Sequence, residues 1–356
     1  MTNKGEKTLE EILSQPAVWA DTLNVFKNNA SSIEALWNKD KFDQVIFSGC
    51  GSTYYLSQAA AVIFQKYTGV SSKALPGSEL SLFSDIYLDK NKKTLLIAVS
   101  RSGETSETVR AMQLFKEGNY GRIMAITTVP DSSVTKLADL NLIAAAAQEV
   151  SIAQTRSFAS MMLMAEALAI QLGGQDAVEV LTGFPERVKH FFETYHELAE
   201  KLGRKSSIER FFFLGSAYNY GIASEAMLKM KEMSLSHSEA FHILEFRHGP
   251  KSMVDEKSLV VGLINESTED QEIPVLEEMA SLKGQILTFT EKGNPRLEAI
   301  GDVVELNSGV SEPLRALLFL PVMQLLAFHR AISRGQDPDN PHNLDAVVHI
   351  PSMTTG

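Results

Sequence analysis

The stretch Thr94-Leu95-Leu96-Ile97-Ala98-Val99-Ser100-Arg101-Ser102-Gly103-Glu104-Thr105-Ser106-Glu107-Thr108 decides the fold. Residues 94–99 form a nearly unbroken apolar run, as in a parallel strand buried on both faces, and a helix-period pattern follows within a few positions. So abrupt a passage from strand to helix aims the first backbone N–H groups of the helix, with their partial positive charge, beyond the strand end. A phosphate suits that place. Ser100, Ser102 and Thr105 add hydroxyl donors, Gly103 lets the backbone approach closely, and Arg101 adds a permanent charge. An ordinary capped helix, with Ser or Thr as N-cap and Glu in the first turn, gives the same local pattern.

Outward from this stretch the same beat recurs. Strands are expected near 44–48, 94–99, 122–127 and 141–145, with helices near 53–67, 105–117 and 157–172. The second half repeats the scheme, with strands near 210–214, 258–264, 285–290 and 302–306 and helices near 221–233, 273–282 and 313–333. The alternation predicts an α/β fold of two tandem doubly wound parallel-sheet domains, flavodoxin-like in kind. An N-terminal helical segment (1–40), a first domain (41–176), a helical connector (177–204), a second domain (205–335) and a tail (336–356) complete the division. Val45-Ile46-Phe47-Ser48-Gly49-Cys50-Gly51-Ser52 and Phe211-Phe212-Phe213-Leu214-Gly215-Ser216-Ala217-Tyr218 both run from a strand through a glycine turn into a helix, so the halves look duplicated. Neither copy carries Gly-x-Gly-x-x-Gly, so a nicotinamide cofactor is not indicated.

A length of 356 residues with 44% hydrophobic and 22% charged side chains suffices for two ordinary cores. The net charge of −11 and the lack of a concentrated basic stretch argue against a nucleic-acid partner, while a locally positive pocket can still take a small anion. The single cysteine, Cys50, excludes an intramolecular disulfide framework and suits a reducing cytosol. Met1-Thr2-Asn3-Lys4-Gly5-Glu6 lacks the apolar core of a signal peptide. The longest apolar run, 316–332, is interrupted by Pro321, Gln324, His329 and Arg330 and reads as a buried helix. A cytoplasmic chain with no membrane partner is expected.

A second group of chemically capable residues spans Glu225, Lys229 and Glu232, then His237, Glu239, His242 and Glu245-Phe246-Arg247-His248-Gly249-Pro250. Glu225, Lys229 and Glu232 share one helix face, where a cation can keep a carboxylate base ionised; a solvated salt-bridge ladder has the same spacing. The histidine spacings match no zinc signature, so no metal is expected. For His248, a structural loop role and a proton-transfer role both stand.

Together these motifs resemble the sugar isomerase (SIS) family, in particular the isomerase half of glucosamine-6-phosphate synthases and their stand-alone deaminase, isomerase and deglycase relatives. The resemblance covers residues 40–350 and rests on Ser48-Gly49-Cys50-Gly51-Ser52-Thr53, Ser100 to Thr105, Glu149-Val150-Ser151-Ile152-Ala153-Gln154-Thr155-Arg156-Ser157-Phe158, the Glu225 to Glu232 helix, the His248 motif and Asp337-Pro338-Asp339-Asn340-Pro341-His342-Asn343-Leu344. It implies that Thr53, Ser100, Arg101, Ser102 and Thr105, with Ser52 in support, surround a sugar phosphate, and that Ile152 and Gln154 line the sugar site. It implies that Glu232 moves a proton between C1 and C2 of the open-chain sugar, with Glu225 and Lys229 beside it, and that His248 opens the ring from the neighbouring subunit of a homodimer. No cofactor is implied.

The departures from the family pattern narrow the expectation. The synthase tail carries a Schiff-base lysine where this chain has Ala346; Gln154 replaces a serine, and Arg101 a glutamine. Only residues 1–40 precede the first expected strand, without an N-terminal cysteine nucleophile, so glutamine is not expected as nitrogen donor. The expected activity is hydrolytic deamination of glucosamine 6-phosphate to fructose 6-phosphate and ammonia. The alternatives are a fructosamine-type 6-phosphate deglycase, an aldose-ketose phosphate isomerase of the tagatose 6-phosphate kind, and a non-catalytic sugar-phosphate sensor.

Overall fold

The computed structural model describes residues 4–347. With helices of eight or more residues numbered in chain order, the first half runs α1 (Glu6–Leu13), α2 (Gln15–Lys39), β1 (Gln44–Gly49), α3 (Ser52–Thr68), β2 (Ser72–Pro76), β3 (Thr94–Ser100), α4 (Ser106–Glu117), β4 (Gly121–Thr127), β5 (Leu140–Ile143) and α5 (Arg156–Leu172). The second runs α6 (Phe184–Gly203), β6 (Arg210–Gly215), α7 (Tyr218–Ser234), β7 (His237–Phe241), β8 (Ser258–Leu263), α8 (Glu269–Ser281), β9 (Gln285–Thr290), β10 (Asp302–Glu305) and α9 (Arg315–Ser333).

Among the described residues ten strands form two five-stranded sheets, ordered β2-β1-β3-β4-β5 and β10-β9-β8-β6-β7, and every described pairing is parallel. Counted within its own half, each sheet has the order 2-1-3-4-5, the flavodoxin-like doubly wound arrangement. The α/β expectation and the duplication therefore hold at the level of strand order. Strands β1, β3 and β8 are buried along their whole length, because helices cover both faces.

Two strands lie outside the expectation, β2 and β7. Each is the outermost strand at the same end of its sheet, and each has a polar sequence, Ser72-Lys73-Ala74-Leu75-Pro76 and His237-Ser238-Glu239-Ala240-Phe241. Edge strands bury less and tolerate charges and proline, so the apolar signal is missing.

The chain divides into two compact units. The first-sheet unit holds Val18–Gln148, Arg156–Thr182 and the described residues from Asp345; the second-sheet unit holds the described residues up to Ala17, Glu149–Thr155 and Gly183–Leu344. In the first-sheet unit Ile46, Leu96, Met112, Phe115 and Ile123 share one core. In the second-sheet unit Phe212, Phe246, Val260, Leu276 and Ile286 do the same. The Glu312–Ser333 segment is apolar enough to cross a membrane by length and composition, but 89% of its most apolar window is buried inside the protein. That agrees with its reading as a core helix.

Candidate active site

In a doubly wound sheet the crevice opens where the strand order reverses, at the carboxyl ends of the first and third strands. In the first-sheet unit these are β1, which leads through Gly49-Cys50-Gly51 into α3, and β3, which leads through the Ser100 to Thr105 loop into α4. The structure thus brings Ser52, Thr53, Ser100, Arg101, Ser102 and Thr105 to one switch point.

Local geometry shapes the loop. Gly51, at φ 56° and ψ −125°, turns the chain into α3, and the Thr53 hydroxyl accepts from Cys50 N–H and lies within hydrogen-bonding reach of the Cys50 carbonyl, both at 2.9 Å. A Cβ on Gly103 would fall 2.1 Å from Ser132 Oγ, so glycine lets that turn pack closely. Gly103 N–H donates to Ser100 Oγ at 3.1 Å, and Ser100 and Thr105 hydroxyls meet at 3.3 Å. Thr105 is the N-cap of α4, and among the described residues its side chain makes no cap hydrogen bond to the first turn. Cys50 is packed beside Thr108, and burial pushes its thiol pKa up, the opposite of a reactive cysteine.

The second-sheet unit has the equivalent switch point between β6 and β8, but it is filled from within. Strand register makes Asn219 the counterpart of Thr53 and Asn265 the counterpart of Arg101. Asn219 donates to Asn265 at 3.0 Å, while Asn265 backbone and side-chain N–H groups donate to Glu272 at 2.8 and 3.1 Å. Ser216 and Thr268 also hydrogen-bond Glu272, a side chain that burial pushes toward a higher pKa and these partners pull back. The carboxyl group of Glu272 occupies the donors that an external anion would need.

Helix α7 carries the acid and base candidates. Glu225 and Lys229 are fully buried and Glu232 is 19% exposed; Lys229 Nζ lies 3.3 Å from Glu225 and makes a close ion pair with Glu232. Burial works against the Lys229 charge, but the two carboxylates outweigh it and hold its pKa above the ordinary value. The cluster is therefore no solvated ladder: a permanent cation sits against a partly exposed carboxylate, the form a general base requires. His248 follows the short turn Glu245–Arg247 and is exposed; no hydrogen bond among the described residues fixes its ring.

Ile152 and Gln154 lie in the Glu149–Thr155 segment, which belongs to the second-sheet unit. Glu11 of α1 accepts from Val150 and Ser151 N–H groups, Thr8 meets the Ser151 hydroxyl at 2.9 Å, and Glu149 accepts from Thr155 N–H and hydroxyl. The buried Gln154 side-chain oxygen has no hydrogen-bond partner among the described residues. Sequence reasoning missed the part played by Asp337 and Asp339. Asp337 accepts from Gly5 N–H, and Asp339 from Thr8 N–H and hydroxyl, so the tail motif caps α1, whose own N-cap is a glycine without a side chain. Two aspartates flanking a proline are a capping signal, but only once their helix is known. Further on, the Ala346 carbonyl accepts from the Arg101 guanidinium at 2.9 Å, which places Ala346 against the Ser100 to Thr105 loop.

With this geometry in place, comparison with known proteins assigns the family. The SIS domain model matches residues 40–171 and 206–332, and the chain belongs to that family, among its enzymes. Glutamine–fructose-6-phosphate aminotransferase [isomerizing] of Thermococcus kodakarensis is 32% identical over 360 residues, which cover 96% of this chain and 58% of that protein. The chain thus spans little more than half the length of such curated relatives. The solved glucosamine-6-phosphate deaminase of Thermotoga maritima is 29% identical with a TM-score of 0.78 over 96% of this chain and 99% of that one. Tagatose-6-phosphate ketose/aldose isomerase of Escherichia coli, 23% identical with a TM-score of 0.87 over 94% and 95% of the two chains, has the same fold.

Proposed function

We propose that this chain is a sugar-phosphate enzyme that converts glucosamine 6-phosphate and water to fructose 6-phosphate and ammonia. The observation that carries the reading is the similarity to a glucosamine-6-phosphate deaminase over 96% of this chain and 99% of the other. The Ser100 to Thr105 loop and Thr53 hold the phosphate through hydroxyls, the Arg101 charge and the α4 N–H groups. Ile152 and Gln154 face the sugar. Glu232, paired with buried Lys229, takes the C2 proton of the open-chain aldosamine and returns it to C1. The resulting ketimine is hydrolysed, water supplying the ketose oxygen and the nitrogen leaving as ammonia. His248 moves the ring-oxygen proton, and its exposed ring suits a group that completes its contacts on a second copy in a cytoplasmic homodimer.

Incubation of the purified chain with glucosamine 6-phosphate, with ammonia and fructose 6-phosphate measured together, tests the reading. Equal amounts of both products are expected. Ketose formation from an unaminated aldose 6-phosphate, or amine release only from a fructosamine-type phosphate, would replace the substrate. Glu232→Gln is expected to cut kcat by about 10²–10⁴-fold while phosphate-ligand affinity changes little. Unchanged turnover would remove Glu232 from the base role.

A further inference from the structure

Helix α6 and helix α9, both in the second-sheet unit, cross beside Gly203, where an added Cβ would lie 2.8 Å from His329 Cβ and 2.8 Å from the Leu326 carbonyl. That absence of a side chain brings the helices close enough for three polar groups to converge. His196 and Glu200 stand four residues apart on one face of α6, and His329 faces them from α9. The His196 and His329 Nε2 atoms are 3.0 Å apart, their ring centroids 4.9 Å apart, and one ligand atom from each of the three residues lies within 4.8 Å of the others. His329 is only 5% exposed, and its buried Nδ1 has no hydrogen-bond partner among the described residues.

We propose that His196, Glu200 and His329 form a binding site for a divalent transition-metal ion of the zinc class, which pins α6 to α9. Two imidazoles and a carboxylate, with water in the fourth position, are a borderline donor set that suits Zn²⁺ or Co²⁺ and not the all-oxygen preference of Mg²⁺ or Ca²⁺. Two nitrogens bound to one tetrahedral ion at about 2.0–2.1 Å stand about 3.3 Å from each other, a few tenths of an ångström from the spacing found here. Glu200, 39% exposed, bonds Arg204 at 2.8 Å and must turn from it toward the imidazoles. With no acceptor for His329 Nδ1 among the described residues, affinity falls about 10–100-fold below that of a site with a complete outer shell. None of this was visible as a motif, because the two histidines are 133 residues apart in sequence.

The test uses the whole chain, stripped with chelator and titrated with ZnCl₂ alone, with stoichiometry read by equilibrium dialysis and the site geometry by the visible spectrum of added Co²⁺. One Zn²⁺ per chain, a rise in melting temperature and a tetrahedral Co²⁺ spectrum are expected, with no response to Mg²⁺. His196→Ala, at a partly exposed position, should weaken binding by more than about 10-fold; Arg204→Gln, which releases Glu200, should tighten it; His237→Ala on the exposed edge strand should change nothing. No Zn²⁺ uptake by the wild-type chain would reduce the pair to a histidine–histidine hydrogen bond and overturn the proposal. Undiminished binding by the folded His196→Ala chain would overturn it equally.

Discussion

Ala217 stands at φ 51° and ψ −122°, nearly the conformation of Gly51 at φ 56° and ψ −125° in the other repeat. A side chain in that region costs about 1–3 kcal/mol, and at Gly51 an added Cβ meets no atom within 4 Å, so the cost there is purely backbone strain. Ala217→Gly is therefore expected to raise the melting temperature, although the freer unfolded chain takes back about 0.4–1 kcal/mol. Gly51→Ala is expected to lower it, and thermal unfolding of the two variants with the opposite ranking would refute the strain argument. Residues of this kind divide by how far their signal reaches. Gly51 and the Ser100 to Thr105 hydroxyls were legible because their chemistry is local. Asn219, Glu272 and His329 were not, since each acquires its meaning from a partner on another strand or helix.

At the scale of elements, the buried strands announced themselves through apolar runs, whereas β2 and β7 hid behind polar edge sequences. Helix α1 shows the same limit from another side. Its start depends on Asp339, which accepts from Thr8 N–H and hydroxyl at 2.7 Å each and from Lys7 N–H at 3.2 Å. Asp339→Ala is expected to destabilise the protein by about 1–2 kcal/mol, the worth of a lost N-cap, with Asp339→Asn recovering most of it. Chemical denaturation measures both; an Ala variant as stable as the parent would show that the cap is idle. The same helix steadies the segment bearing Ile152 and Gln154 through Glu11 and Thr8, so, on the sugar-lining role proposed for that segment, loss of the cap is also expected to weaken binding of a sugar phosphate more than that of inorganic phosphate.

For the molecule as a whole, duplication was readable from two glycine turns, and the structure adds that the copies have diverged in opposite directions. One switch point gathers the hydroxyl and guanidinium donors proposed for a sugar phosphate; the other has Glu272 as its own internal ligand. Calorimetric titration with a sugar phosphate is therefore expected to give one site per chain, and two equivalent sites would contradict this asymmetry. At a ligand concentration 100 times the dissociation constant, that single site should add about 2.7 kcal/mol of stability. The clasp between α1 and the tail has a consequence in time. Thr8 and Asp339 are separated by 331 residues, so at about 5–20 residues per second the ribosome keeps α1 waiting roughly 17–66 s for its cap. Most of the first-sheet unit, Val18–Gln148 and Arg156–Thr182, emerges during that interval. Folding during synthesis of this stretch therefore runs from its middle outward, and α1, made before either sheet, is among the last helices to settle.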